Sequence, residues 1–565
     1  MDPYGEWVRR REGWRPHQFV MRPDAESLGL VMVVAGEPPP ETVHTLAALQ
    51  QQTTTRWTLT VIVRNSRQTA FTALLGVSGL QRTSQRVRVA CTDDATPPAD
   101  MLSLGLALNA GSTVSLLFPG DVWAPDAVAQ LATTVSPQTV VYADEDSVTA
   151  TGHHVDPRLK PAYSPEFLLS SSYIGRPLAI GSGIALQLGP STGGLADAEH
   201  DVALRACEAA RQVIHLPEVL CHRHLGVPDA AATGDPGGNG TGGESGGGPV
   251  ADALARRGEL AAVHDGPRPG ITRVTRRPSP HVATTIIIPF RDEPRFLRTC
   301  IESIDATHGT GPVDFVLVDN GSVQPETQTL IERLSGRNDI AVVADERPFN
   351  WSALNNAAVA LARGDVLVFL NNDIEARQPG WLDVLSMQAV RADVGAVGAR
   401  LLYPDGRLQH CGVTIGVGGA ADHLLAGLEG TAPGYLNMAI ATRECAAVTG
   451  ACLATRRDVF ARLGGFDESL GVDLNDIDYC LRAQREGLRV LYEAGAELIH
   501  HESPSRGFAG GARDIRRFID RWRASIEKGD PYLSPHLTRI DSSCALRAAD
   551  EGDWWQRWYA SISAT

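Results

Sequence analysis

The sequence predicts an α/β fold in two tandem, related domains, each an open and mainly parallel sheet covered by helices. Three observations carry that reading. Short β-branched runs alternate with helical spacing of apolar residues, the runs end in polar turn clusters, and a glycine-rich seam separates two halves of similar plan. A chain of 565 residues has room for two to four domains of ordinary size.

The second half shows the alternation best. Residues 286–288 form a β-branched run closed by Pro289, and helical spacing begins near Pro294, with Phe296, Leu297, Cys300, Ile301 and Ile304 on one face. Residues 315–318 are a buried-type strand stopped by the turn DNGS. A helix over 327–334, a strand over 340–344, a helix over 353–362 and a strand over 366–370 follow, the last ending in NND. Ligands of such sheets gather at the carboxyl ends of the strands, where DNGS and NND fall.

The first half repeats the plan more faintly, with a strand over 28–34, a helix over 41–51, a strand over 59–63 and a strand over 113–118 ending in PGD. HLPEVLCHRH at 215–224 holds the place of LYEAGAELIHHE at 491–502, which points to an internal duplication. Between the halves, residues 228–249 lack apolar periodicity and read as a flexible linker, followed by a short helical pattern over 250–257. The expected boundaries are an extension over 1–27, a first domain over 28–225, linker and short helix over 226–281, a second domain over 282–532 and a tail over 533–565.

Composition narrows the function class. Hydrophobic content of 43% and charged content of 21% suit a globular chain with a core in each half. The formal net charge is -15 and no long Lys/Arg block occurs, which argues against a nucleic-acid partner. That balance fits an enzyme whose anionic substrate meets a local metal ion rather than a basic field. Nine cysteines are scattered without a CxxC pair, so neither a zinc site nor a disulfide framework is expected, and a reducing compartment is. The amino terminus has no apolar leader and no run approaches 18 uncharged apolar residues. The expected location is the cytoplasm, with at most peripheral contact at the inner face of the cell membrane.

Four polar clusters carry the chemistry. Asp319 follows a strand directly, where a carboxylate can accept hydrogen bonds from a nucleoside base or ribose; the plain alternative is an Asx turn. Asp373 ends NND, and a hard divalent ion typically takes one or two protein carboxylates while substrate phosphates complete its shell. Asp476 and Asp478, with Asp473 nearby, open a helical pattern. One acid suffices as partner to the helix dipole, and a second can serve as general base toward a sugar hydroxyl. In LIHHESPSRG, His500 or His501 can ligate the metal and Arg506 can meet a diphosphate oxygen.

In order, IIIPFRDE, VLVDNGS, FNWSALNNAA, GDVLVFLNNDIE, VGAVGARLLYPDGRLQHCGV, VTGACLATRR, GGFDE, NDIDYCLR and LIHHESPSRG resemble the family-two glycosyltransferases of the GT-A fold. The match runs from about residue 283 to 532 and is most similar to long bacterial members that build O-antigen and other surface polysaccharides, rhamnosyltransferase-like proteins included. The resemblance implies two tandem GT-A-like domains and a metal-dependent hexosyl- or rhamnosyltransferase using Mg2+ or Mn2+. It implies a donor side of Pro289, Asp319, Asn320, Asn371, Asn372 and Arg506, with Asp373 as the metal-binding acid of the DxD motif. It further implies Asp476 as catalytic base and the His500/His501 pair closing the donor site. Asp473, Asp478 and Glu502 are acceptor-side candidates. Asn371 at the first DxD position leaves one carboxylate rather than two.

The first half resembles the amino-terminal domain of the same long proteins through YADEDSV, DPRLKPAYSPEFLLSSSYIGRP and LPEVLCHRH. Its chemistry reads as eroded. RNSRQ lacks the nucleotide-binding Asp, Phe118 and Gly120 hold the DxD positions with Asp121 beside them, and Glu199 holds the base-like position. Acceptor binding or self-association into a homo-oligomer is the role then left to it. The expected reaction is inverting transfer from a nucleoside-diphosphate sugar to a hydroxyl of a glycan or lipid-linked glycan acceptor, in cell-surface polysaccharide biosynthesis. The competing reading is a noncatalytic scaffold of a polysaccharide assembly complex.

Overall fold

The computed structural model describes residues 3–14, 21–80, 85–190, 195–225, 248–279, 282–502, 511–549, 551–552 and 554–563. Most of the glycine-rich seam and Arg506 lie outside them. The chain divides into two compact units, Met1–Tyr163 with Ser172–Glu259, and Ser164–Ser171 with Leu260–Thr565.

The first unit contains β1 (Leu28–Val34), β2 (Trp57–Arg64), β3 (Val87–Thr92), β4 (Thr113–Leu116), β5 (Asp121–Trp123), β6 (Thr139–Val148), β7 (His154–Arg158), β8 (Leu178–Ile180) and β9 (Gln212–His224). Their order is β3-β2-β1-β4-β8-β6-β9-β5, with β7 on β6. All seven residues of β1 are buried, as a strand covered on both faces requires.

The second unit begins with a hairpin, β10 (Ala261–Asp265) and β11 (Thr272–Arg276). Its main sheet uses β12 (Thr284–Phe290), β13 (Val313–Asp319), β14 (Ile340–Ala344), β15 (Val366–Leu370), β16 (Ile374–Ala376), β17 (Val394–Leu402) and β18 (Leu408–His410). A small pair, β19 (Val413–Ile415) and β20 (Ala421–His423), precedes β21 (Arg443–Glu444), β22 (Cys452–Arg456) and β23 (Arg489–His500). The order β14-β13-β12-β15-β22-β17-β23-β16 repeats, strand for strand, that of the first unit.

The expected mainly parallel sheets are mixed. β12, β13, β14 and β15 run parallel, as do β17 and β23, but β22 lies antiparallel between β15 and β17. The first unit shows the same break, with β8 antiparallel to β4 and β6. The chain leaves β15, makes a long excursion and re-enters from the opposite direction, so no short right-handed crossover links these neighbours.

The core of the second unit is apolar on every layer: Ile286, Ile288, Phe315, Leu317, Val368 and Leu370 are buried with Leu297, Ile301 and Ile304 of helix Pro294–Thr307. That packing fixes the carboxyl ends of β13 and β15, hence Asp319 and the NND turn, on one rim of the sheet. Residues after 532 return to the body of the unit. Leu425 N–H donates to the Ser542 carbonyl (2.9 Å) and Arg539 Nε to that of Gly416 (2.9 Å), which pins the glycine-rich segment around β20.

Candidate active site

Asp476 sits in the first turn of helix Asn475–Arg485, entered through Leu474 at a left-handed φ of 63°. A non-glycine residue held there costs about 1–3 kcal/mol and is typical of places where geometry serves a site. The Asp476 carboxylate accepts the N–H of Gly450 (2.6 Å) at Oδ2 and that of Ile477 (2.8 Å) at Oδ1. Gly450 allows the first contact, because a Cβ there would come 2.9 Å from the Trp351 ring. Burial raises the Asp476 pKa above the usual aspartate value, against the lowering effect of those two hydrogen bonds. The side chain remains partly accessible, so the arrangement is an oriented carboxylate with raised basicity.

Asp478 has a different environment. It is fully buried and accepts from Arg482 Nε (2.8 Å), Arg521 Nη1 (2.7 Å) and Trp522 Nε1 (2.9 Å). Those bonds tie its helix to helix Gly511–Lys528, a bracing role. Asp473 is half-buried, and its backbone N–H donates to Asp514 (3.3 Å).

Asp373 is 5% exposed and Oδ1 lies 3.1 Å from His500 Nε2. His500 Nδ1 faces Gln409 Oε1 at 2.7 Å, and Asn371 Nδ2 faces His500 Nε2 at 3.2 Å. Gln409 and Asn371 thus hold the ring with Nε2 toward the Asp373 carboxylate. A carboxylate oxygen and an imidazole nitrogen at that separation, the ring oriented by the Gln409 amide, form a ligand pair suited to a cation. His501 points elsewhere, with Nε2 2.9 Å from Glu375, while its backbone N–H donates to the Asp373 carbonyl (3.0 Å). The structure thus separates the two histidines and puts His500 beside the acid.

Asp319 Oδ1 accepts the Ser322 N–H (2.9 Å), three residues on rather than the two of an Asx turn, so the side chain braces the turn and is half-buried at the strand end. Asn320 is buried and its amide donates to the carbonyls of Asp345 (2.7 Å) and Arg347 (2.8 Å), bracing the loop after β14. Pro289 is buried within β12, Asn372 is half-buried in the turn, and Glu502 is exposed at φ 46°.

Several neighbours escaped the reading from sequence. From distant segments, Gln409 holds the His500 ring, Gly450 holds the Asp476 carboxylate, and His423 lies near Asp476. His423 Nδ1 lies 3.1 Å from His410 Nδ1; burial lowers the His423 pKa, and the nearby Asp476 carboxylate opposes that shift. LQHCGV and VTGACL carried Gln409 and Gly450 only as motif matches, His423 lies in neither, and separation in sequence hid their convergence.

By strand register, the same rim of the first unit is differently furnished. Ile374 pairs with His500 across β16 and β23, whereas Asp121 pairs with Arg223 across β5 and β9. Gly120 therefore holds the Asp373 position. The Arg176 guanidinium lies 3.5 Å over the Phe118 ring, donates to Asp121 Oδ1 (3.1 Å) and makes two 3.1 Å bonds to Glu199. Counting along β8 and β22, Arg176 holds the place of Ala451.

Residues 285–464 match the family model described as Glycosyl transferase family 2. The chain is 37% identical over 483 residues, 82% of its length, to "O-antigen biosynthesis protein RfbC" of Myxococcus xanthus. It is 25% identical over 259 residues, 40% of its length and 83% of the relative's, to "N-acetylglucosaminyl-diphospho-decaprenol L-rhamnosyltransferase" of Mycobacterium tuberculosis. The chain spans only 37% to 51% of the length of the longer curated relatives it matches. Among solved structures, a mannosyltransferase of Pyrobaculum calidifontis in complex with GDP-Man and Mn2+ aligns with 18% identity and a TM-score of 0.35, covering 51% of this chain and 76% of its own. The resemblance carried by the sequence motifs is borne out. No described helix is long and apolar enough to cross a membrane.

Proposed function

We propose, from the premise that residues 285–464 form a family 2 glycosyltransferase domain, that the second unit transfers a glycosyl group from a nucleoside-diphosphate sugar to an acceptor hydroxyl with inversion. The observation that carries it is the pairing of a partly accessible, raised-pKa Asp476 with an Asp373–His500 donor pair on one unit. In this reading both units have the GT-A-like plan, since their strand orders are the same. The acceptor is a glycan or lipid-linked glycan of a surface polysaccharide, as the name of the Myxococcus relative suggests.

Asp476 is held by Gly450 and Ile477 so that one face of the carboxylate meets the acceptor; it takes the hydroxyl proton as the oxygen attacks the anomeric carbon. Its raised pKa favours holding that proton. Asp319 orients the nucleoside from the strand end, and the Asn371–Asp373 turn faces the diphosphate. Asp373 and His500 would hold a divalent ion, Mg2+ or Mn2+, which supplies charge neutralisation for the departing diphosphate. Asn371 and Gln409 keep the His500 ring turned toward Asp373. The first unit is noncatalytic, because Arg176 neutralises Asp121 and Glu199 where a substrate's cation and hydroxyl would have to enter.

The test is nucleotide release from a panel of nucleotide sugars with Mg2+ or Mn2+, with and without acceptor glycans. Metal-dependent release that Asp476→Asn suppresses supports the transferase. Absence of release across the panel leaves the scaffold reading standing.

A further inference from the structure

The first unit buries a group of side chains that the transfer chemistry does not use. Asp146 on β6, His154 on β7 and His222 on β9 each offer a ligand atom, all within 4.8 Å of one another. His154 Nδ1 lies 2.8 Å from Asp146 Oδ2, and His222 Nδ1 lies 2.6 Å from Oδ1. The Tyr4 hydroxyl, in helix Pro3–Trp14, donates to Oδ2 at 2.7 Å. The imidazoles meet edge to face with centroids 4.7 Å apart.

The second sheet supplies a control. His222 precedes Arg223, the partner of the first residue of β5; Ile499 precedes His500, the partner of the first residue of β16. Asp146 pairs with His222 in register, and Leu402 pairs with Ile499. The fold therefore closes this position with two aliphatic side chains in one unit and with a carboxylate and an imidazole in the other. Exchanging Leu and Ile for a buried charge is costly unless the charge has a counterpart.

We propose that Asp146, His154 and His222 bind one borderline divalent cation of the Zn2+ class, joining β6, β7 and β9. Two imidazoles and one carboxylate are a ligand set for Zn2+ at about 2.0–2.2 Å, and a poor one for Mg2+, which takes oxygen. Coordination through Nδ1 moves each neutral ring's proton to Nε2 and replaces the two bonds to the carboxylate. Tyr4 is an outer partner that orients Asp146, and the one-fifth exposure of the His154 side chain provides an entry path. This site runs against the expectation, drawn from the cysteines, that the chain has no zinc site, because its proposed ligands are imidazoles and a carboxylate. The proposal does not rest on the transferase reading.

The test titrates Zn2+ into chelator-stripped full-length protein against a chromophoric competitor, with Co2+ absorption as a probe of ligand geometry. One Zn2+ per chain is expected, with a tetrahedral-type Co2+ spectrum and a higher melting temperature. His154→Ala, at the more exposed ligand, should remove the spectrum and the tight stoichiometric step. Tyr4→Phe should weaken Zn2+ by about 10–100-fold. Asp373→Ala should retain both signals, and Mg2+ should give neither. Unchanged Zn2+ binding in folded His154→Ala, or no tight binding by the parent protein, overturns the site.

Discussion

The two sheets of this chain have the same strand order and the same antiparallel break, yet their rims hold opposite chemistry. At the second rim, Asp373 faces the His500 imidazole and Asp476 stays partly accessible. At the first, Gly120 replaces the acid, Arg223 stands opposite β5, and Arg176 binds both Asp121 and Glu199. Burial raises the Asp121 pKa and Arg176 opposes it, while Asp121 and Glu199 outweigh burial and raise the Arg176 pKa. The lesson is that topology outlasts chemistry. A rim that lacks the acid is closed here by a cation of the chain's own, Arg176.

The largest effect expected from breaking that contrast is at Asp476. Asp476→Asn keeps the shape and one acceptor oxygen, so it retains one of the two contacts that the Gly450 and Ile477 N–H groups make to separate oxygens, and it cannot take a proton. Transfer should fall by ~10²–10⁴-fold while donor affinity, measured calorimetrically with metal, changes little. Transfer near the parent rate would reduce Asp476 to a helix-end brace. Next comes Asp373→Ala, expected to lower turnover by ~10²–10³-fold, the scale of losing one electrostatic stabiliser of developing charge. Full activity of that variant, or of the parent protein in chelator, would remove the metal from the mechanism.

Much of this was legible in the chain. Unbroken apolar runs announced β1, β14 and β15 at their observed bounds, although only β1 and β15 are buried throughout, and the carboxyl-end rule put Asp319 and Asp373 on one rim. The antiparallel position of β22 was not legible, because pairing partners far apart in sequence leave no periodicity. The β10–β11 hairpin was hidden in the stretch assigned to linker and short helix over 226–281. Asp478 looked like a second base until Arg482, Arg521 and Trp522 were seen to surround it. Arg176 gave no signal at all, since its meaning comes from three residues that only folding brings together.

A smaller effect is expected in the pH profile. The base must be ionised, so activity is present above the Asp476 pKa and lost below it. Burial raises that pKa, so the acid limb should lie at higher pH than for an ordinary aspartate. Below the limb, kcat/KM should fall about tenfold per pH unit. The residual activity of Asp476→Asn should lack this limb; a limb that persists unchanged belongs to another group.

The smallest effect is expected at the first rim, and it is the sharpest check on the comparison. Removing Asp121 and Glu199 by alanine would be a poor test, because Arg176 is 7% exposed and would lose both anions. An uncompensated buried charge costs about 3–5 kcal/mol, so lost activity could come from unfolding alone. Asp121→Asn with Glu199→Gln keeps the size and one acceptor oxygen at each position for the guanidinium. In this double variant the melting temperature should fall, since two ion pairs become charge–dipole contacts. Turnover per folded molecule at saturating donor should stay within about twofold of the parent, because neither carboxylate does proton transfer in a noncatalytic unit. A loss of a hundredfold in protein shown to be folded would mean that Glu199 acts as a base after all. Arg176 would then be a latch over a second working site rather than its permanent occupant.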